Sequence, residues 1–407
     1  MLPAVRGADV REVSETSSRA RAALMLASAP LRRALHDASF APSPDNLQPW
    51  RFEVRDSDTF VVHGRDPRAA YGPYDLYRHA YWTSLGGLLE TIRISAAAHG
   101  QTVVIERDPS RSDESPSFVG KLSPAPEGAS LTDLSRAIFW RSTQRRAMNP
   151  RRLGAAEKAA LETSVGSGFQ VRWLESPRQR LRAAWVNYLT GKLRLTTPAA
   201  NQVHQRIVDF GNENPLGRRL SADRVPAGAV GVDRATEALM RWLLPRERLL
   251  AVFNQYLAGT AVPGLELDLL PGLATGAHFL IETTGDSPPA GIDDYLAAGA
   301  AMQRFWLKAT SMGLQLQPTY MPRALLAYSK DRQGSPHEPR FSSDPAGWRL
   351  ERSIVNGLGN LARDVGAEPT HIIFAGRVGR GAPPDRRSLR LPLDDLLVLP
   401  EPGEARD

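Results

Sequence analysis

The chain contains no cysteine and no long uninterrupted run of apolar residues. Without cysteine there are no disulfides, thiolate metal sites or thiol redox cycles. Without a long apolar run there is no candidate for a transmembrane helix, and the charged N-terminal stretch does not resemble a secretory signal. The eight histidines show no metal-ligand spacing. We therefore expect a cytoplasmic protein that binds no metal and no membrane.

Lysine is scarce, so the net charge of +7 comes almost wholly from arginine. A basic protein can bind nucleic acid, but that function needs a basic stripe or a recognition motif, and these arginines are scattered. Local clusters lie at Arg141–Arg146 and Arg377–Arg390. Because a guanidinium binds phosphate bidentately, a small phosphate-bearing ligand explains them equally well. Codon bias towards arginine and alanine stays open. We expect a small-molecule substrate and no nucleic acid.

The stretch Ala41–Trp50, APSPDNLQPW, separates an apolar run from an alternating one. Its prolines end a helix, and Ser, Asp and Asn favour turns, so a tight loop between a helix and a strand is predicted. The loop carries the uncharged polar residues Ser43, Asn46 and Gln48. Loops held between rigid elements often carry binding residues, although a purely structural turn remains the alternative.

Two long helices, predicted at Tyr81–His99 and Tyr295–Met312, resemble each other. When the glycines that follow them are aligned, Gly86 also matches Gly299. Small residues at matched positions would let two helix backbones approach closely, and such internal similarity indicates a duplication. A chance match between two alanine-rich helices is the alternative.

The predicted fold class is α+β, with two mixed and mainly antiparallel sheets flanked by helices around the central helix pair. We divide the 407 residues into halves 1–128 and 129–407, with a poorly matching insertion at about 193–269 in the second half. The second half lacks a counterpart of the polar loop. The expected molecule is a monomer that forms a dimer-like arrangement within one chain, and further oligomerisation stays open.

Two basic motifs flank the second half. RSTQRR places Thr143 between Arg141 and Arg145, so one turn of chain can gather two guanidinia and a hydroxyl around an anion. RSLRLP adds Ser388 and Arg390 near the C-terminus. An ordinary solvated helix face is the alternative for the first motif.

These motifs resemble those of the FMN-dependent nitroreductase superfamily. PSPDNLQPW resembles the family's PSxxNxQPW signature, and RSTQR resembles its RxSxR phosphate element with Thr in place of Ser. AAGAAMQRFWLKATSMGL followed by QLQP resembles its central helix and the strand that borders the flavin, and SLRLPL resembles its C-terminal basic element with Ser388 where lysine is common. The resemblance runs from about Leu31 to Leu397. The fused arrangement is similar to Acg-type proteins and to domains joined to ThiF-like enzymes.

The resemblance implies one FMN per chain, because only the first half has the loop and only the second half has the phosphate element. In that family two subunits share two FMN sites, so one of the two sites is expected to be lost here. The implied cofactor-binding residues are Ser43, Asn46 and Gln48 at the ring, Gln317, Pro318, Thr319 and Tyr320 along its edge, and Arg141, Thr143, Arg145, Ser388 and Arg390 around the phosphate and ribityl chain.

The implied activity is that of an FMN-dependent oxidoreductase that transfers hydride through flavin N5, with NAD(P)H as a possible electron donor. Tyr320 stands where the family often has an acidic residue. The alternative is a protein that sequesters FMN beneath a lid formed by the insertion, with little or no turnover. The catalytic residues are unknown from sequence; Tyr320 and Lys308 are the candidates, and a structural role is the favoured alternative for each.

Overall fold

The computed structural model describes residues 22, 24–67, 71–126, 132–211, 221–256, 259, 261–330 and 341–399. The boundary expected at residues 128 and 129 lies outside them. The first half is a four-stranded sheet with two helices. Its elements are α1 (Ala29–Ala38), β1 (Trp50–Val54), β2 (Thr59–Gly64), α2 (His79–Ala98), β3 (Gln101–Arg107) and β4 (Ser117–Pro124).

The second half is built around another four-stranded sheet. Its elements before the insertion are α3 (Thr132–Ala137), α4 (Ala155–Ser164), β5 (Phe169–Leu174) and α5 (Pro177–Thr196). The insertion contains α6 (Pro198–Ile207), β6 (Val208–Asp209), β7 (Val225–Pro226), α7 (Arg234–Leu243), α8 (Glu247–Tyr256), α9 (Ala261–Gly264), a π-helical turn (Leu265–Leu269) and α10 (Leu270–Leu273). The chain then forms β8 (Ala277–Thr283), α11 (Ile292–Ser311), β9 (Leu314–Pro318), α12 (Met321–Lys330), α13 (Pro345–Arg363), β10 (Ile372–Arg380) and α14 (Leu393–Leu396).

The two large sheets have the same strand order. The first runs β1-β2-β4-β3 and the second β5-β8-β10-β9, so first, second, fourth and third strands are neighbours in both. In each half a long helix, α2 or α11, connects the second strand to the third. Every pairing within these two sheets is antiparallel, and the parallel pairings among the described residues are the short β6–β7 pair and two isolated bridges, Phe52–Leu397 and Thr143–Leu316. The predicted α+β class is confirmed, and the two large sheets are antiparallel throughout rather than mixed.

Helices α2 and α11 cross at two glycines. A Cβ atom on Gly86 would collide with the carbonyl of Leu296, and a Cβ on Gly299 would collide with the carbonyl of Thr83. Beyond the crossing, Gln303 Nε2 donates to Thr91 Oγ1 at 2.9 Å. The predicted close approach of the two helices is therefore present, and it depends on the absence of side chains at these positions.

Each sheet packs on its own apolar core. Trp50, Phe52 and Phe60 lie in the core of the first half, and Phe279 and Phe305 lie in that of the second. The central helices contribute to these cores, which explains why α2 is buried along most of its length. None of the described helices combines the length and apolar character needed to cross a membrane.

We predict that Gly299→Ala lowers the free energy of unfolding by about 1–3 kcal/mol or more, because the added methyl group forces two packed backbones apart. Gly285→Ala is the control, since a Cβ there meets nothing within 4 Å. Urea denaturation measures both variants. Equal stability of the two variants would contradict the tight crossing.

Candidate functional site

A cavity of about 780 Å³ is lined by both halves of the chain. Its size lies within the range of roughly 300–1,000 Å³ that is typical of sites for small molecules and cofactors. Four separate segments form most of its wall: the loop after α1, residues 138–145, the end of β9, and residues 386–390 before α14. Helix α5, the insertion, residues 71–84, α11 and β10 supply the rest.

Nearly all of the residues expected at the cofactor lie around this one cavity. The lining includes Ser43, Asn46, Arg141, Thr143, Arg145, Gln317, Pro318, Thr319, Tyr320, Ser388 and Arg390. Gln48 and Lys308 are not among the lining residues. The structure thus brings together positions that are up to 347 residues apart in sequence, from Ser43 to Arg390 (390 − 43).

The polar loop has an unusual backbone. Asp45, Asn46 and Gln48 have φ angles of 52°, 63° and 48°, which lie in the left-handed region that non-glycine residues rarely adopt. Each such residue costs about 1–3 kcal/mol, and the conformation persists only where the surroundings enforce it. The loop is therefore a segment whose shape is imposed by its contacts.

Gln48 is one of the residues that impose this shape. Its side chain is 0% exposed. Its Nε2 donates to the carbonyls of Asn46 and Ala222 at 3.0 and 2.9 Å, and its Oε1 accepts from the amide of Leu391 at 2.9 Å. Its backbone amide donates to Ser43 Oγ at 3.0 Å. Gln48 thus supports the loop from behind the cavity wall.

Asn46 joins the loop to the insertion and to the C-terminal segment. Its Nδ2 lies within 3.0 Å of the carbonyls of Ala222, Arg224 and Leu389. Its Oδ1 accepts a hydrogen bond from Arg390 Nη1. The loop, the insertion and the basic C-terminal motif are consequently held in one arrangement around the cavity.

Arg141, Arg387 and Arg390, which we call the arginine group, lie together on one part of the wall. Arg141 is 7% exposed, donates to the carbonyl of Phe40 at 2.8 Å and stacks over Trp306 at 4.7 Å. Burial and the neighbouring Arg390 and Arg387 lower the pKa of Arg141. Burial and Arg387 lower the pKa of Arg390 to about 10. Within the described residues, no carboxylate forms an ion pair with this group.

Arg145 has different neighbours. It donates to the carbonyl of Ala229 at 2.8 Å. Burial lowers its pKa, Asp45 raises it, and Arg194 lowers it further. Arg194 lies 3.8 Å from Asp268. Arg145 therefore belongs to a mixed set of charges, unlike the arginine group.

Several polar atoms around the cavity are buried and unpaired. They are Arg141 Nε, Arg194 Nε, Trp306 Nε1, Tyr320 Oη and Arg390 Nε. An unsatisfied buried donor costs about 1–3 kcal/mol, and native proteins retain few of them. A concentration of such atoms at one cavity indicates a polar ligand.

The two candidate catalytic residues have different positions. Tyr320 lines the cavity, and burial raises its pKa well above the ordinary value, so its hydroxyl stays protonated and suits a donor rather than a base. Lys308 lies on α11 and does not line the cavity. Among the described residues, no three His, Asp or Glu side chains converge in a way that could hold a metal ion.

Sequence reasoning named none of four further lining residues as a cofactor-binding residue: Asp45, Arg194, Asp268 and Arg377. Asp45 stood inside the recognised loop. Arg377 interrupts an apolar strand, HIIFAGRVG, and a charged residue in a buried strand is a usable signal. Arg194 and Asp268 lie at the two ends of the insertion and had no signal of their own.

No protein-family model matches the chain, and no curated protein matches it in sequence. The chain is similar in structure to a nitroreductase-like family protein from Bacillus cereus (11% identity, 66% of this chain, 96% of that chain, TM-score 0.29). It is also similar to an FMN-dependent nitroreductase from Mycobacterium smegmatis in complex with NADPH (13% identity, 68% of this chain, 97% of that chain, TM-score 0.30). A third similar structure is a putative nitroreductase from Anabaena variabilis (12% identity, 80% of this chain, 69% of that chain, TM-score 0.36). Because the sequence identities and TM-scores are this low, a functional assignment has to rest on the cavity itself.

Asp268 gives a pH-dependent prediction. Burial raises its pKa from 3.8 to about 6, although Arg194 and Arg377 oppose the rise. The folded chain therefore binds this proton more tightly than the unfolded chain does. The resulting stabilisation is complete below pH 3.8 and disappears as the pH rises past about 6.

We predict that the free energy of unfolding of the wild type falls by about 1–3 kcal/mol relative to Asp268→Asn between pH 4 and pH 7. Denaturant titrations at several pH values measure this difference. A constant difference across the range would contradict the burial of this carboxyl.

Proposed function

We propose that the cavity binds one FMN per chain and that the protein is an FMN-dependent oxidoreductase acting on a small organic molecule. The observation that carries this proposal is the convergence of the polar loop, RSTQRR, the end of β9 and the C-terminal SLR segment on one cavity. Each of these segments was singled out on sequence grounds alone. An FMN site needs residues for the ring and residues for the phosphate in one cavity, and these four segments provide both.

The arginine group fits a phosphate. Arg141 is buried and Arg390 is half-buried, and neither has a carboxylate counter-ion in the described residues, although buried charges normally require a partner. A phosphate carries between one and two negative charges near neutral pH and accepts several charge-assisted hydrogen bonds. In this proposal Arg141 and Arg390 hold the phosphate, with the hydroxyls of Thr143 and Ser388 beside them. Arg145, which has carboxylates among its charged neighbours, would contact the ribityl chain.

The remaining wall fits a planar ring. Phe40, Met302, Trp306 and Phe374 supply apolar surface. Ser43, Asn46 and residues 317–320 supply polar groups at positions held by the surrounding network. When bound, FMN would supply the hydride and electron transfer. The chain would position it, exclude water and provide a positively charged environment.

We further propose that halves 1–128 and 129–407 are equivalent units of a duplicated chain. The identical strand order of the two sheets and the glycine crossing of α2 and α11 support this. The polar loop belongs to one half and the RSTQRR motif to the other, so a single complete site remains. The protein then needs no second subunit to bind the cofactor.

The insertion supports a second candidate function, the sequestration of FMN. Residues 222–229 contact the cavity wall directly, because Ala222 and Arg224 accept from Asn46 and Ala229 accepts from Arg145. This segment is positioned as a cover, and a cover that stays closed would favour storage over turnover. As a reductase, the protein would take electrons from NAD(P)H or from its substrate.

We predict that the purified protein contains about one FMN per chain. Arg141→Ala and Arg390→Ala should each weaken FMN binding about ten- to a hundredfold, since a hydrogen bond to a charged group contributes about 1.5–3 kcal/mol. Fluorescence titration of the flavin measures the affinity. Arg146→Ala is the matched control, because Arg146 is exposed and pairs with Asp385. Undiminished FMN binding by both site variants would refute the phosphate assignment.

Anaerobic mixing with NADPH and NADH distinguishes the two candidate functions. A reductase should show loss of the flavin absorbance near 450 nm with at least one donor. Dithionite serves as the control that the bound flavin can be reduced at all. A flavin that dithionite bleaches but neither nicotinamide reduces would favour sequestration, or a dehydrogenase fed by its substrate.

A further inference from the structure

Arg377 is a cavity residue that the sequence placed only at the edge of an arginine cluster and gave no role of its own. It lies on the inner strand β10 and is 1% exposed. In the antiparallel pairing of β10 with β9 it stands directly opposite Gln317. Such cross-strand partners lie on the same face of a sheet, so the two side chains meet beside the cavity.

The guanidinium of Arg377 contacts five acceptors. Its Nη2 lies 3.2, 2.7 and 2.9 Å from the carbonyls of Gln144, Arg145 and Arg146, and its Nη1 donates to the carbonyl of Pro271 at 3.0 Å. Its Nε donates to Gln317 Oε1 at 2.6 Å. One side chain therefore links the RSTQRR segment, the end of the insertion and the end of β9.

This contact determines the orientation of the Gln317 amide. An arginine side chain has only donors, so the atom that faces Arg377 must be the carbonyl oxygen of Gln317. The amide nitrogen then points the other way, and no described residue accepts a hydrogen bond from it. Gln317 is half-buried and lines the cavity.

We propose that Arg377 is a positioning residue that presents the Gln317 amide to the cavity as a fixed hydrogen-bond donor for an acceptor atom on the edge of the bound ring. The proposal rests on the proposed FMN site. The positive charge behind Gln317 polarises the amide and strengthens its donor group. A reduced flavin carries more negative charge on its ring than an oxidised one does, so a fixed donor binds the reduced form more tightly.

The test uses Gln317→Glu in the full chain. The new carboxylate has nearly the same shape and can pair with Arg377, so the fold should be retained, but the donor is replaced by an acceptor. The expected result is an affinity for reduced relative to oxidised FMN that falls about tenfold, which corresponds to a midpoint potential about 30 mV lower for a two-electron couple. The potential is measured by equilibration with a reference dye.

Gln315→Glu is the matched control. It places the same charge on the same strand two residues earlier, where the side chain is half-buried but does not line the cavity. Its potential should equal that of the wild type. Arg377→Lys keeps the charge but cannot reach all five acceptors, and its potential should shift in the same direction as that of Gln317→Glu.

A wild type that binds no FMN would overturn the proposed function and this inference together. A wild type that binds FMN, with a potential unchanged in Gln317→Glu, would overturn the inference alone. A potential lowered equally in Gln315→Glu would also overturn it, since a general charge effect would then explain the shift.

Discussion

Buried positive charge without a counter-ion is the constraint on which this structure depends. Arg141 and Arg390 are withdrawn from much of the surrounding water, and the pKa of each is lowered by this burial and by a neighbouring arginine. Backbone carbonyls and the ring of Trp306 compensate only part of that loss. In the proposed site a phosphate completes this arrangement, and the adjoining aromatic and apolar wall fits the planar ring of the same ligand.

The polar loop helps to hold the buried arginines in place, and other parts of the chain hold the loop. Its left-handed residues would relax if the contacts of Asn46 and Gln48 were lost. Those contacts reach the insertion through Ala222 and the C-terminal segment through Leu389 and Leu391. Parts of the chain that are distant in sequence thus enforce the loop, and the loop in turn holds Arg390 by a side-chain hydrogen bond.

The sequence predicted correctly those features that depend on a few neighbouring residues. Prolines and turn-forming residues marked the polar loop, and glycines marked the helix crossing, because both depend on the conformation of a few neighbouring residues. Sequence placed Gln48 at the ring, whereas the structure places its side chain in the support of the loop. The sequence also grouped Arg141 with Arg145 around the phosphate, yet the structure gives the two arginines different charged neighbours. The role of Arg377 was missed because it depends on a cross-strand partner and on carbonyls more than 200 residues away.

The central claim is that the arginine group holds the phosphate of a flavin, with one site in each chain. Equilibrium titration of the flavin-free protein with FMN and with riboflavin tests it most directly, because the two ligands share the ring and the ribityl chain and differ only in the phosphate. The account predicts a stoichiometry of one FMN per chain and an affinity for FMN at least about a hundredfold higher than for riboflavin, as expected for two or more charged hydrogen bonds. Equal affinities, or two FMN per chain, would contradict it.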